Sequence, residues 1–249
     1  MSTTTKPSRR DFISTLAASS VVGLGCAPAT PRNAQAAQAP RALKPVAHAL
    51  TARERHWVGD GFAVSTLFSP SIVDAQVLSP FILMDHAAPR HFEPTTTPRG
   101  VGEHPHRGFE TVTFAYQGEV DHRDSQGGGG TIGAGDVQWM TAASGVVHEE
   151  KHSRRFSESG GVFEMVQLWV NLPARMKMSA PRYQSLPGQS FPALTFEGSA
   201  EGRESATGRL IAGTLQGKTG PAQTYSPITM FDMALPAGSE ASFTPTPGH

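Results

Sequence analysis

One cysteine in 249 residues, Cys26, excludes an internal disulfide whatever compartment the chain works in. Net charge is missing as well, because 21 Lys and Arg balance 21 Asp and Glu. With no basic excess and no basic face in the pattern, nucleic acid and anionic membrane surfaces are poor partners. Nor is any apolar run of membrane length. The uncharged stretch from Phe12 to Gly25 has 14 residues, against the roughly 20 that a spanning helix needs. No long segment shows a clean helical period either, so a helical bundle is not expected.

The short uncharged stretch nevertheless has informative neighbours. Arg9 and Arg10 precede it in S-R-R-D-F, and a small-residue region follows in which Ala34-Gln35-Ala36 offers an A-x-A cleavage site. Basic, apolar and cleavable regions in that order predict a twin-arginine signal peptide over residues 1–36. Such a signal sends an already folded protein through the twin-arginine export machinery, to a periplasmic or secreted location. Cys26 lies in G-L-G-C-A, a loose match to a lipoprotein box with Gly23 where a larger aliphatic residue is usual, so anchoring there is the lesser reading. Without residues 1–36 the chain keeps 17 basic and 20 acidic residues and is mildly acidic.

Residues 37–54 read as a linker. Beyond them Gly and Pro punctuate strand-sized apolar runs: GFAVSTLF, FILMD, ETVTFAYQG, DVQWMT, VVHE, EMVQLWVNL, RLIAGTL and ITMFDMAL. They are rich in β-branched and aromatic residues, which predicts an all-β barrel or sandwich. The glycine tract at residues 127–130 falls between two strand candidates and reads as a hairpin loop, since no amphipathic helix follows to complete a phosphate-binding turn. A composition break near residues 173–190 marks a passage from a first barrel to a second unit. That unit offers only about three strands before His249, too few to close a barrel, so an incomplete second barrel is expected.

Two short constellations carry the chemistry. His104-Pro105-His106 and His148-Glu149-Glu150 each place ligand types at i and i+2, which on a strand project from one face. Were the two strands to meet on the inner wall of a barrel, three imidazoles and one carboxylate would converge. Nitrogen and oxygen ligands without sulfur suit iron, manganese, nickel, copper or zinc. Pro105 removes a ladder donor and belongs at a strand edge or bulge. His148, Glu149 and His152 also spell H-E-x-x-H, the zinc-protease pattern, which works only on a helix. Neither flank builds one, and on a strand residues four apart stand about 13 Å from each other, too far to share an ion. His152 is therefore expected to be a bystander. His48, His56, His86, His91 and His122 are expected in solvated or otherwise satisfied roles.

The longer motifs around these pairs resemble a known family. HPHRGFETVTFAYQGEVDHRD, then GDVQWMTAASGVVHEE, then VQLWVNLPARMKMSAPRYQ, with SPFILMDHAAP upstream, are similar to the pirin family of the cupin superfamily in order and spacing. The resemblance implies a bicupin. Its metal-bearing N-terminal barrel would occupy residues 55–175, an inter-domain linker 176–190 and a partial C-terminal cupin domain 191–249. It implies Fe(2+) held by His104, His106, His148 and Glu150, with other divalent metals as alternatives. The general cupin pattern H-x-H-x-x-x-E would instead nominate Glu110, which is expected on the same side as His106. For activity, the resemblance implies dioxygen-dependent cleavage of a flavonol such as quercetin. Glu150 would be the catalytic proton acceptor and Glu149 and Glu110 second candidates; Phe109, Phe114, Trp139 and Met140 would form either an apolar wall or simply the barrel core. A non-catalytic metal-binding or redox-sensing protein, and an inactive truncated remnant, are the competing expectations.

Overall fold

The computed structural model describes residues 49–51, 54–196 and 205–244. The expected signal peptide, Cys26, His48 and most of the 37–54 linker lie outside the described residues. The first strands are β1 (His56–Val58), β2 (Phe62–Phe68), β3 (Phe81–Phe92), β4 (Gly100–His106), β5 (Phe109–Gln117) and β6 (Val120–Asp124). Next come β7 (Gly129–Ile132), β8 (Val137–Thr141), β9 (Val146–His152), β10 (Gly161–Asn171) and β11 (Arg182–Leu186). The chain continues with β12 (Ala193–Phe196), β13 (Ala206–Ala212), β14 (Thr214–Leu215), β15 (Lys218–Thr219) and β16 (Met230–Ala234). Among the described residues only two short α-helices occur, α1 (Ala75–Leu78) and α2 (Arg154–Ser159). The all-β expectation holds.

Seven strands pair in the order β1-β2-β3-β10-β5-β8-β11, and four in the order β4-β9-β6-β7. The two sheets face each other across a shared interior, as in a cupin. One end of that interior is apolar: Phe62, Val64, Ala87, Ala115, Phe163 and Met165 of the larger sheet pack with Val120 and Ile132 of the smaller one. The other end is lined by polar side chains and forms the candidate site.

Burial explains the strand sequences. β9 alternates strictly, with Val146, His148, Glu150 and His152 buried and the residues between them partly or fully exposed, as befits a sheet wet on one side. β5 shows no such rhythm because both of its faces are covered. Its Val112 and Phe114 join Val137, Trp139 and Val166 in a second core with Phe191, Ile211, Ile228 and Met230 from later in the chain. Within the segment 176–190, expected as a linker, Arg182–Leu186 pairs along the whole of β8 and extends the larger sheet. Sheet β12-β13-β16 and the hairpin β14-β15 follow. The glycine tract closes the β6–β7 hairpin, where Asp124 Oδ1 accepts from the amides of Gln126 and Gly128 at 2.8 and 2.9 Å.

His152 is a core residue rather than a ligand. Phe62, Phe92, Phe156 and Phe163 surround its ring at centroid distances of 4.5–5.6 Å, and its Nε2 meets the Gly61 carbonyl at 3.0 Å. Burial pushes its pKa down from 6.5 to about 4. An unfolded chain takes up this proton below pH 6.5 while the folded chain refuses it down to about 4. The contribution is thus complete above that window and is lost as pH falls through it, a change on the order of 3 kcal/mol. Urea midpoints measured across the window should fall with acid, and His152→Leu should flatten the fall. An equally steep fall in the variant would assign the acid sensitivity to other groups.

Candidate metal centre

The site is assembled by the pairing of β4 with β9. His104 lies opposite His148 and His106 opposite Val146, after a register shift between Val101 and His104. β4 is an edge strand of its sheet, which is where Pro105 is tolerated. The ring centroids of His104, His106 and His148 are 4.3–4.9 Å apart. Each offers a ring nitrogen, and these atoms all lie within 4.8 Å of one another.

Three observations fit this trio to a metal ion. His148 is 1% exposed, and its Nε2 is buried with no hydrogen-bond partner, a state that buried polar atoms rarely tolerate. His104 Nδ1 is 2.8 Å from the Gly102 carbonyl and can only donate there, leaving Nε2 bare. Burial, reinforced by the neighbouring imidazoles, lowers the pKa of His106 to about 4 and of His148 to about 2. Both rings are thus neutral near pH 7, the form a metal requires.

Glu150 stands beside this trio with a different set of neighbours. It is 4% exposed, and every donor on it is neutral. Gln138 Nε2 and Thr113 Oγ1 donate to Oε1 at 2.5 and 3.2 Å, and Gln167 Nε2 donates to Oε2 at 3.3 Å. Its carboxylate oxygen clusters within 4.8 Å with nitrogens of His122 and His148 rather than with His104 and His106. His148 belongs to both groups and joins them. At the more open side, His106 packs against Phe109 and Trp169 at 5.0 and 5.3 Å, giving the site an aromatic wall.

Several expected neighbours face elsewhere. Thr113 and Gln138 reach Glu150, so the odd-numbered residues of β5 and the even-numbered residues of β8 look inward. Glu110 therefore lies on the far face, 1% exposed, where its Oε1 accepts from Thr141 Oγ1 at 2.7 Å and burial raises its pKa. It is not beside His106. Phe114 and Trp139 share that far face, in the second core. Glu149 points outward from β9 and pairs with Lys151 and Arg123, each at 2.8 Å, which lowers its pKa. Phe109 packs on His106 in the wall, and Met140 packs with Ala142, Val146 and Tyr183. His86 and His91 belong to β3.

His122, expected in a solvated or satisfied role, instead joins the cluster with His148 and Glu150. It is 4% exposed in β6, its Nδ1 is 3.2 Å from His148 Nδ1, and Tyr183 stacks on its ring at 4.8 Å. The signal available was parity: Val120, His122 and Asp124 share one face of a short strand, and Val120 is apolar. Gln138, Gln167 and Thr113 were missed, because neutral polar residues in a strand carry no metal-ligand signature.

Residues 62–170, which hold the whole constellation, match the family model described as Pirin. The chain belongs to the pirin family. It is 53% identical over 197 residues to a Pseudomonas aeruginosa protein named for a candidate quercetin 2,3-dioxygenase activity, covering 78% of this chain and 66% of that one. A pirin-like protein of Caulobacter vibrioides is 37% identical over 72% of this chain and 62% of its own length. Among solved structures, quercetin 2,3-dioxygenase from Acinetobacter baumannii aligns with a TM-score of 0.69 and 54% identity, covering 74% of this chain and 62% of that one. This pirin chain thus spans about two thirds or less of the length of these three relatives.

Proposed function

We propose that the centre holds one Fe(2+) through His104, His106, His148 and Glu150, and that this pirin is a dioxygenase of the quercetin 2,3-dioxygenase type, using dioxygen on a flavonol-like substrate. The observation that carries the reading is the bare, buried Nε2 of His148, set among two further imidazoles and next to a carboxylate with neutral donors only. The relatives named for that activity support the choice of substrate. Bound iron would supply Lewis acidity toward the substrate hydroxyl and an electron path to dioxygen.

The chain's own groups do the rest. His104, His106 and His148 give nitrogen donors, and burial keeps the rings of His106 and His148 neutral so that they do not repel a cation. Glu150 takes the proton of the flavonol hydroxyl, on Oε2, which carries only the 3.3 Å contact from Gln167. Gln138 and Thr113 hold the other oxygen and so fix the carboxylate plane. Phe109 and Trp169, 4.6 Å apart with planes 33° from parallel, offer flat apolar surface to an aromatic substrate. The proposal extends to location: Arg9 and Arg10 would direct the folded, loaded protein to the periplasm.

Elemental analysis of the purified chain, followed by dioxygen uptake with quercetin, tests the reading. Near-stoichiometric iron and flavonol-dependent uptake, lost in His106→Ala, are expected. Stoichiometric metal with no uptake over a panel of phenols would favour a metal-binding or redox-sensing pirin. Folded, metal-free protein would overturn the centre itself.

A further inference from the structure

We infer that Asp124 and His122 form a hydrogen-bond relay that fixes the tautomer of His148, so that its Nε2 carries no proton and faces the centre. Both are positioning residues, and the inference rests on the metal centre described above.

The argument follows the direction of each hydrogen bond. Asp124 Oδ1 already accepts from two amides of the β6–β7 loop, those of Gln126 and Gly128. Its other oxygen, Oδ2, lies 3.4 Å from His122 Nε2, with both side chains essentially buried. A carboxylate oxygen can only accept, so His122 Nε2 carries the proton there and, in the neutral ring, Nδ1 is bare. His122 Nδ1 faces His148 Nδ1 at 3.2 Å. One of these two nitrogens must supply the hydrogen, and His122 has none left to give. His148 Nδ1–H therefore donates to His122, and His148 Nε2 is bare, in agreement with its lack of any hydrogen-bond partner. Tyr183 stacks on the His122 ring at an interplanar angle of 16° and donates its hydroxyl to Gln138 Oε1 at 3.2 Å, which holds the middle of the relay in place. His104 obtains the same tautomer more simply, from the Gly102 carbonyl. Outer partners of this kind orient a ligand and decide which nitrogen reaches the metal.

Asp124→Asn tests the relay with almost no change in shape. The loop amides keep the asparagine Oδ1, so its NH2 is turned to His122 Nε2 and must donate. His122 Nε2 then becomes the acceptor, its Nδ1–H turns on His148, and His148 Nε2 takes the proton. Every polarity reverses. Long-range proton–nitrogen correlation spectra of the metal-free, nitrogen-15 histidine-labelled protein, assigned with His148→Ala, read the tautomer directly. Wild type should show His148 with Nδ1–H, and Asp124→Asn should show Nε2–H. Zn(2+) affinity, measured by chelator competition, should fall about 10–100-fold in the variant. His122→Phe keeps the stack on Tyr183 but removes the acceptor, and should also lose the Nδ1–H preference. Wild-type protein with Nε2–H at His148, or an Asp124→Asn spectrum unchanged from wild type, would overturn the relay. The tautomer is read without metal, so a wild-type chain that binds no ion would sink the metal centre while the spectra still decide the relay.

Discussion

His148→Ala should abolish stable metal binding, with affinity reduced by more than the 10–100-fold that attends the loss of an outer partner. His148 is the residue shared by both ligand groups, and its free nitrogen is the best-buried donor of the centre. Anaerobic Fe(2+) titration against a competing chelator measures the loss, and circular dichroism checks that the barrel persists. Two companion variants sharpen the result. Glu149→Ala should leave affinity unchanged, because Glu149 is bound to Lys151 and Arg123 on the outer face. His152→Phe should also leave it unchanged, because His152 is enclosed by four phenylalanines. A zinc protease built on H-E-x-x-H would give the opposite pattern, with His148 and His152 equally required. Metal retained in His148→Ala would remove this residue from the centre.

Trp139→Ala should cost about 3–5 kcal/mol of stability, the range for deleting a large buried aromatic side chain. Trp139 is 0% exposed and is the largest of the fully buried side chains among the described residues. It packs in the core that joins β5, β8 and β10 to Phe191, Ile211, Ile228 and Met230. Urea unfolding measures the loss. Iron affinity of the folded fraction should be unaffected, since Trp139 faces away from Glu150 and the histidines. Unchanged stability with weakened metal binding would return Trp139 to the pocket wall that the sequence suggested.

The contrast between these two residues shows where sequence reasoning reached its limit. His148 and Glu150 were legible because a strand has a side-chain period of two, so a histidine and a carboxylate two apart must share a face. Glu110 was misread, and Trp139 was left open between wall and core, because a run buried on both faces does not reveal which face is which. For Glu110 there is a further cause. Between His106 and Glu110 the chain turns at Arg107 and Gly108, where Gly108 adopts φ +81°, and passes from the smaller sheet to the larger one. Parity counted along one strand has no meaning across such a turn, because the second strand has its own pleat and its own interior side.

The amino-acid sequence by itself determined the class of the fold, the position of most strands, the pairing of His104 with His106 and of His148 with Glu150 at i and i+2, and the reading of H-E-x-x-H as unfit for a protease. All of these depend on local periodicity, turn chemistry and spacing. Only the tertiary structure decided that His122 enters the centre, since it is placed by the pairing of β6 with β9, which sets His122 opposite Glu150. It also decided that Glu150 is held by Gln138, Gln167 and Thr113 from three strands of the facing sheet. Such contacts are made by residues far apart in the chain and neutral in charge. Their effect is set by hydrogen-bond direction and by burial, which no spacing along one strand encodes.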